Sequence, residues 1–143
     1  MAAGLIRSLL LALQAVGLST AGCAKMTSQA TTLIEYHRSG GIAGREDHVV
    51  VMSDGTARLS RRGVTADFRI APDTLTELRA LIERVDFRAM REEYVPARRG
   101  ADLYEYVVIC QDRRIRLMDT AIPAELQPLM QLLGGLANRS PSP

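Results

Sequence analysis

Through most of this chain apolar and polar residues alternate, which predicts strands, and in two places apolar residues recur at helical spacing instead. Thr32 to Arg38 sets Ile34 and Tyr36 on one face and Glu35 and His37 on the other, a period of two. His48-Val49-Val50-Val51-Met52 is a short β-branched run. Asp54-Gly55 follows it, a pair that tolerates the positive φ of a tight hairpin turn. Thr56 to Ser60 is the expected return strand, and Arg61-Arg62-Gly63 the next turn. Val64, Ala66, Phe68 and Ile70 then alternate with Thr65, Asp67 and Arg69, the cleanest half-buried pattern in the sequence.

The first helical spacing runs through Leu75, Leu78, Leu81, Ile82 and Val85. Pro72 and Asp73 open it, because proline's missing N–H has no partner in a first helical turn. An irregular connection through Phe87, Met90 and Tyr94 is expected next, with Pro96 and Gly100 marking a loop. In Leu103 to Cys110, Tyr104, Tyr106, Val108 and Cys110 share one face. Val107 and Ile109 make the opposite face apolar as well, so a central strand covered on both sides is expected. Asp112-Arg113 should turn the chain into Ile115 to Met118. Pro123 to Leu133 carries Leu126, Leu129, Met130 and Leu133 at helical spacing; Pro128 weakens its first turn and Gly134-Gly135 is the expected stop. Hairpins, a helix, a second hairpin and a last helix predict an α+β fold, an antiparallel sheet with two helices packed on it. No internal repeat interrupts residues 32–137, which read as one domain.

The first 23 residues have a different pattern. Arg7 is the only charge before an apolar run centred on Leu9 to Leu13, and Ser19-Thr20-Ala21-Gly22 precede Cys23. A basic start, a short apolar centre and a small-residue exit form the layout of a secretory signal. The centre is too short for a comfortable bilayer span, which needs about 20 apolar residues. Small residues before a cysteine also resemble a bacterial lipobox, in which Cys23 is the lipid-attachment residue and the mature N-terminus. The expected location is therefore the bacterial cell envelope, held to the membrane through that lipid. Two alternatives stay open: ordinary cleavage after Ala24, which releases a secreted protein without Cys23, and an uncleaved amphipathic helix. Residues 24–31 are small and polar and read as a flexible tether; residues 138–143, rich in Ser and Pro, read as a loose tail.

Charge and chemistry exclude more than they offer. The 18 basic and 16 acidic residues nearly balance, and removing the signal takes away only Arg7, so no nucleic-acid partner is expected. Arg61-Arg62, Arg98-Arg99 and Arg113-Arg114 sit beside expected turns and read as solvated charges. Glu92-Glu93 reads the same way. With Cys23 lipidated, Cys110 is a lone thiol in an apolar strand, expected to be buried and inert; with Cys23 retained, a Cys23–Cys110 disulfide is the alternative. The two histidines, His37 and His48, fit no metal-ligand spacing and read as exposed strand residues. No Ser stands in a Gly-x-Ser-x-Gly elbow. The expectation is a protein that is not an enzyme, with no catalytic residue, no metal and no cofactor.

One local feature stands apart. Ser39-Gly40-Gly41-Ile42-Ala43-Gly44 places three glycines in five residues around an isoleucine, without the Gly-Lys-Ser/Thr ending of a phosphate loop. Two readings stay open: a tight connection between strands, with Ile42 tucked beneath the sheet, or a loop that offers Ile42 to a partner.

Tyr36-His37-Arg38-Ser39-Gly40-Gly41-Ile42-Ala43-Gly44 resembles the N-terminal signature of the emfourin-like proteins, small proteinaceous inhibitors of thermolysin-like (protealysin-type) metalloproteases. Gly100-Ala101-Asp102-Leu103-Tyr104-Glu105-Tyr106 resembles the start of that family's later strand. Asp119-Thr120-Ala121-Ile122-Pro123, followed by Leu126, Pro128, Leu129 and Leu133, resembles its ending. Ile42 stands where an aromatic residue is expected, and the Asp54-Gly55 hairpin is longer than in the compact inhibitors. The resemblance implies occlusion of a protease cleft by Ser39, Gly40, Gly41, Ile42, Ala43 and Gly44, with Arg38 and Arg45 as flanking polar contacts. Asp102 is a further candidate, as a carboxylate approaching the protease zinc or, alternatively, as a turn cap. The alternative function is a non-catalytic envelope lipoprotein that binds or scaffolds another partner.

Overall fold

The computed structural model describes residues 29–98, 100 and 102–139. The expected signal at 1–23 with Cys23, most of the tether, Arg99, Ala101 and the last four residues lie outside the described residues. The alternating segments form β1 (Thr32–Gly40), β2 (Arg45–Met52), β3 (Thr56–Arg61) and β4 (Val64–Arg69). Helix α1 (Pro72–Arg84) follows, then the two-residue strand β5 (Glu93–Tyr94), β6 (Tyr104–Cys110), β7 (Arg113–Met118) and helix α2 (Gln127–Ala137). All seven strands join one sheet in the order β4-β3-β2-β1-β6-β7-β5. Every pairing is antiparallel except that of β5 with β7. The strand nearest the N-terminus is thus the middle strand.

The period-two pattern explains why these segments pair. Ile34 and Tyr36 of β1, Val49 and Val51 of β2, Leu59 of β3 and Val108 of β6 point to one face and are buried there. Leu78 and Ile82 of α1 and Leu129 and Leu133 of α2 complete the same core. Each fully buried Leu, Ile or Val side chain contributes roughly 1.5–3 kcal/mol relative to exposure. Both helices therefore lie against one face of the sheet. Pro72 sits in the first turn of α1 with Asp73 beside it and Arg84 in the last turn, so both charged residues complement the helix dipole. Edge strand β4 is less buried than its alternation suggests, with Val64 58 % exposed.

Several expectations need correction. Among the described residues Val107 and Ile109 meet no second apolar layer; they share the face on which no described helix lies, the helix-free face, with Glu35, His37, His48, Glu105, Arg114 and Arg116. Val107 is nonetheless only 8 % exposed, and it stands outside the main core. The connection after α1 is irregular, as expected, and carries Phe87 and Met90 into the core. Glu93 is not merely solvated: in β5 it pairs with Arg116 of β7, and the Arg116 backbone N–H donates to Glu92 C=O at 2.8 Å. The β6–β7 turn falls one residue earlier than expected, with Gln111 and Asp112 both at positive φ.

Helix α2 runs through Gly134-Gly135 to Ala137, because Leu136 and Ala137 are buried and draw the chain on. Asn138 and Arg139, expected in a loose tail, are docked: Asn138 accepts from Arg38 at 2.9 Å, and the Arg139 guanidinium lies 5.0 Å from the Phe68 ring centre. At Gly135 nothing stands within 4 Å of where a Cβ would be. Gly135→Ala is therefore expected to raise stability by about 0.5–1 kcal/mol through helix propensity alone. A thermal midpoint unchanged or lowered in that variant would show that α2 ends earlier in solution.

Candidate functional site

β1 and β2 pair in register from Tyr36↔Val49 to Gly40↔Arg45, and Gly41 to Gly44 close the hairpin with Gly44 N–H donating to Gly41 C=O at 3.0 Å. Two of the glycines are demanded by close approach. At Gly40, φ is +104° and an added Cβ would lie 2.7 Å from Leu103 C=O; at Gly41, φ is +68° and a Cβ would lie 2.7 Å from the Tyr104 ring. The loop thus rests on the start of β6, which pairs with β1 on the side away from β2. Arg62, in the β3–β4 turn, donates to Ala43 C=O at 2.7 Å. Arg45 reaches Asn138, after α2, at 3.5 Å. Three separate parts of the chain brace the loop, and Ile42 is 89 % exposed at its tip. The loop is a tight connection between β1 and β2, and Ile42 is not tucked under the sheet but exposed at its tip.

Beneath the tip lies a polar cluster with no sequence signature. Asp47 is 1 % exposed and accepts from Arg38 Nε at 3.0 Å, from Arg38 Nη2 at 2.6 Å and from Arg61 Nε. Arg61 also donates to Ala137 C=O at the end of α2, where a cation complements the helix dipole. Burial alone would push the Asp47 carboxyl up. The hydrogen bonds from Arg61 and Arg38 outweigh it and hold the group below its ordinary range. Arg38 is therefore not a free flanking contact; its guanidinium is committed to Asp47 and Asn138. Arg45 and Ser39 are exposed, as is Asp102, two residues ahead of the Tyr104 that pairs with Gly40. The structure brings Ser39 to Arg45 together with Asp102 at one end of the sheet and takes Arg38 into the interior beneath them.

The second arrangement lies on the helix-free face. His37 of β1 and His48 of β2 are register partners, and their rings stack with centroids 3.8 Å apart and planes 13° from parallel. Neither is an exposed strand histidine; both are half-buried. Glu35, two residues along β1, places Oε2 3.6 Å from His48 Nε2. Burial first, and the neighbouring His48 and Arg114 next, depress the His37 pKa against the opposing pull of Glu35 and Glu46. Spacing within the sequence could not reveal this group, since eleven positions separate the histidines. The hairpin register could: once Gly40 pairs with Arg45, three steps back along each strand set His37 against His48.

A third feature is a cleft of about 290 Å³ between α2 and the sheet, lined by Tyr36, Arg38, Tyr106, Asp119 and Met130. Its polar groups answer one another. The Tyr106 phenol donates to Asp119, which also accepts from Tyr104 N–H at 2.9 Å, and burial pushes the Tyr36 phenol up to about 12. Cys110 is buried, as expected, with its thiol pushed up to about 11 by burial. Such a thiol carries little thiolate at neutral pH and is a poor nucleophile.

Comparison of the sequence with models of known protein families, and with curated proteins, gives no match.

Proposed function

We propose that this chain is an exported, non-catalytic binding protein that blocks a partner's cleft with the β1–β2 tip, in the manner of the emfourin-like inhibitors of thermolysin-like metalloproteases that its motifs resemble. One observation carries this reading: an isoleucine 89 % exposed, held out on a loop that other elements brace from several sides. A lone apolar side chain on a mobile loop would lose much of its binding energy to ordering. A braced loop has already lost that freedom in folding. Asp102 stands on the same end of the sheet, where its carboxylate is available to a metal in the partner's cleft. Lipid attachment at Cys23 and residence in the cell envelope belong to the same proposal, on the strength of the N-terminal layout.

The test is a titration of the purified protein against a thermolysin-like protease, following cleavage of a quenched peptide. Stoichiometric loss of activity is expected. Ile42→Asp should weaken inhibition by about thirtyfold or more, the effect of removing an interface anchor worth roughly 2 kcal/mol. Ile42 is the residue to change. Any side chain at Gly41 would displace the Tyr104 ring and alter the bracing itself. Full protease activity at a large excess of the protein would reject inhibition and move the scaffold-lipoprotein reading into its place. Inhibition unchanged by Ile42→Asp would reject the tip as the inhibitory element.

A further inference from the structure

We propose that Glu35, His37 and His48 form a binding site for one zinc-like divalent transition-metal ion on the helix-free face of the sheet. This does not rest on the inhibitor reading. Each residue offers one donor atom, and the three donors lie within 4.8 Å of one another. Around a tetrahedral zinc, with bonds of about 2.0–2.2 Å, neighbouring donors stand roughly 3.3 Å apart. The gap is small enough to close by side-chain rotation. The two rings turn out of their parallel stack so that both lone pairs converge, while the β1 and β2 backbones stay paired.

A second observation points to a missing partner. His48 Nε2 is screened from solvent and has no hydrogen-bond partner among the described residues. Its nearest acidic neighbour, Glu35 Oε2, is at 3.6 Å, beyond hydrogen-bonding distance. A buried polar atom of this kind is normally satisfied, and a metal ion bound between imidazole and carboxylate would satisfy it. Two imidazoles and one carboxylate are a donor set that suits zinc, copper or nickel and discriminates against magnesium and calcium, which prefer oxygen alone. Arg114 opposes a bound cation and Glu46 favours one. Two further cations on this face are already paired, Arg116 with Glu105 and Glu93 and Arg58 with Asp67. Three protein ligands leave a fourth position for water or for a ligand atom from a partner.

The sequence makes the test clean, because the chain contains two histidines and both are in this site. Untagged protein is titrated with Zn2+ at neutral pH while the imidazole proton resonances are followed by NMR and the heat by calorimetry. One ion per chain is expected, with both histidines shifting together and a hundredfold excess of Mg2+ failing to compete. His48→Gln and Glu35→Gln should each weaken binding about tenfold or more, taking the lower end of what disturbing a zinc site's shell costs. Thermal melts without metal show whether each variant still folds. Zn2+ that leaves both imidazole resonances in place overturns the site, as does binding of equal strength in the His48→Gln protein. Binding unaffected by Glu35→Gln overturns the three-ligand arrangement. A variant that fails to fold hands the decision to the wild-type resonances, which report ligation without any substitution.

Discussion

Asp47→Ala is expected to destabilise the protein by about 3–5 kcal/mol, because it leaves two guanidinium groups facing each other where their shared counter-charge was buried. Arg38 and Arg61 both converge on that carboxylate, and both are largely withdrawn from water. Small domains are stable by only about 5–15 kcal/mol, so the loss is a large share of the whole. Urea denaturation checks it: the midpoint should fall while the slope stays constant. Asp47→Asn keeps the shape without the charge and should cost less. The pH dependence has a definite sign. A carboxyl held below its ordinary value of 3.8 in the folded protein adds stability that is complete above that pH and is lost as the pH falls through its folded value. The stability gap between wild type and Asp47→Asn should therefore narrow below about pH 4. A gap independent of pH would show that Asp47 contributes through shape and not through charge.

Phe87→Ala should cost a similar amount, about 3–5 kcal/mol, by leaving a cavity that the surrounding core fills only in part. Phe87 is 0 % exposed and belongs to the same cluster as the sheet and both helices. It also fixes the path of the segment that carries Glu92 and Glu93 to β7. Loss of Phe87 is accordingly expected to loosen β5 before the rest of the sheet, visible as faster amide exchange at Arg116, whose N–H bonds to Glu92 C=O. A cost below about 1 kcal/mol would place the connection outside the cooperative core.

These two residues also mark where the sequence stops being legible. The strands were readable wherever one face is buried and the other is not, as in Ile34 and Tyr36 against Glu35 and His37, because burial imposes the period of two. The strand ends were not, since β1 and β2 run on through Ser39, Gly40, Arg45 and Glu46, past the part of the sheet that the core covers. Phe87 follows no period because an irregular segment has none. β5 is two residues held by the Arg116 backbone and side chain, too short for any pattern. Gly134-Gly135 carries a real stop signal that burial of Leu136 and Ala137 overrides. Val107 and Ile109 looked like a second core face because apolar residues there are screened by long polar side chains and not by a layer of helix.

The candidate sites divide in the same way. Local composition marked the Ser39–Gly44 tip, since glycines around an exposed apolar residue are a property of neighbours in sequence. The Asp47 cluster and the His37–His48 pair were not visible, because each depends on which residues the register sets side by side. An aspartate within Arg45-Glu46-Asp47-His48 looks solvated until pairing puts it on the covered face, between Arg38 on one neighbouring strand and Arg61 on the other.

The position of β1 fixes the reach of the molecule. Its nine residues run from the point where the chain enters the described structure to the foot of the tip loop, a distance of about 30 Å at strand rise. Ile42 is carried by that one strand to the end of the sheet opposite Thr32. A partner engaged at the tip would therefore meet the protein about one strand length from Thr32. A pull between Thr32 and the tip would pass along the covalent backbone of the central strand, leaving the flanking hydrogen-bond ladders largely unloaded.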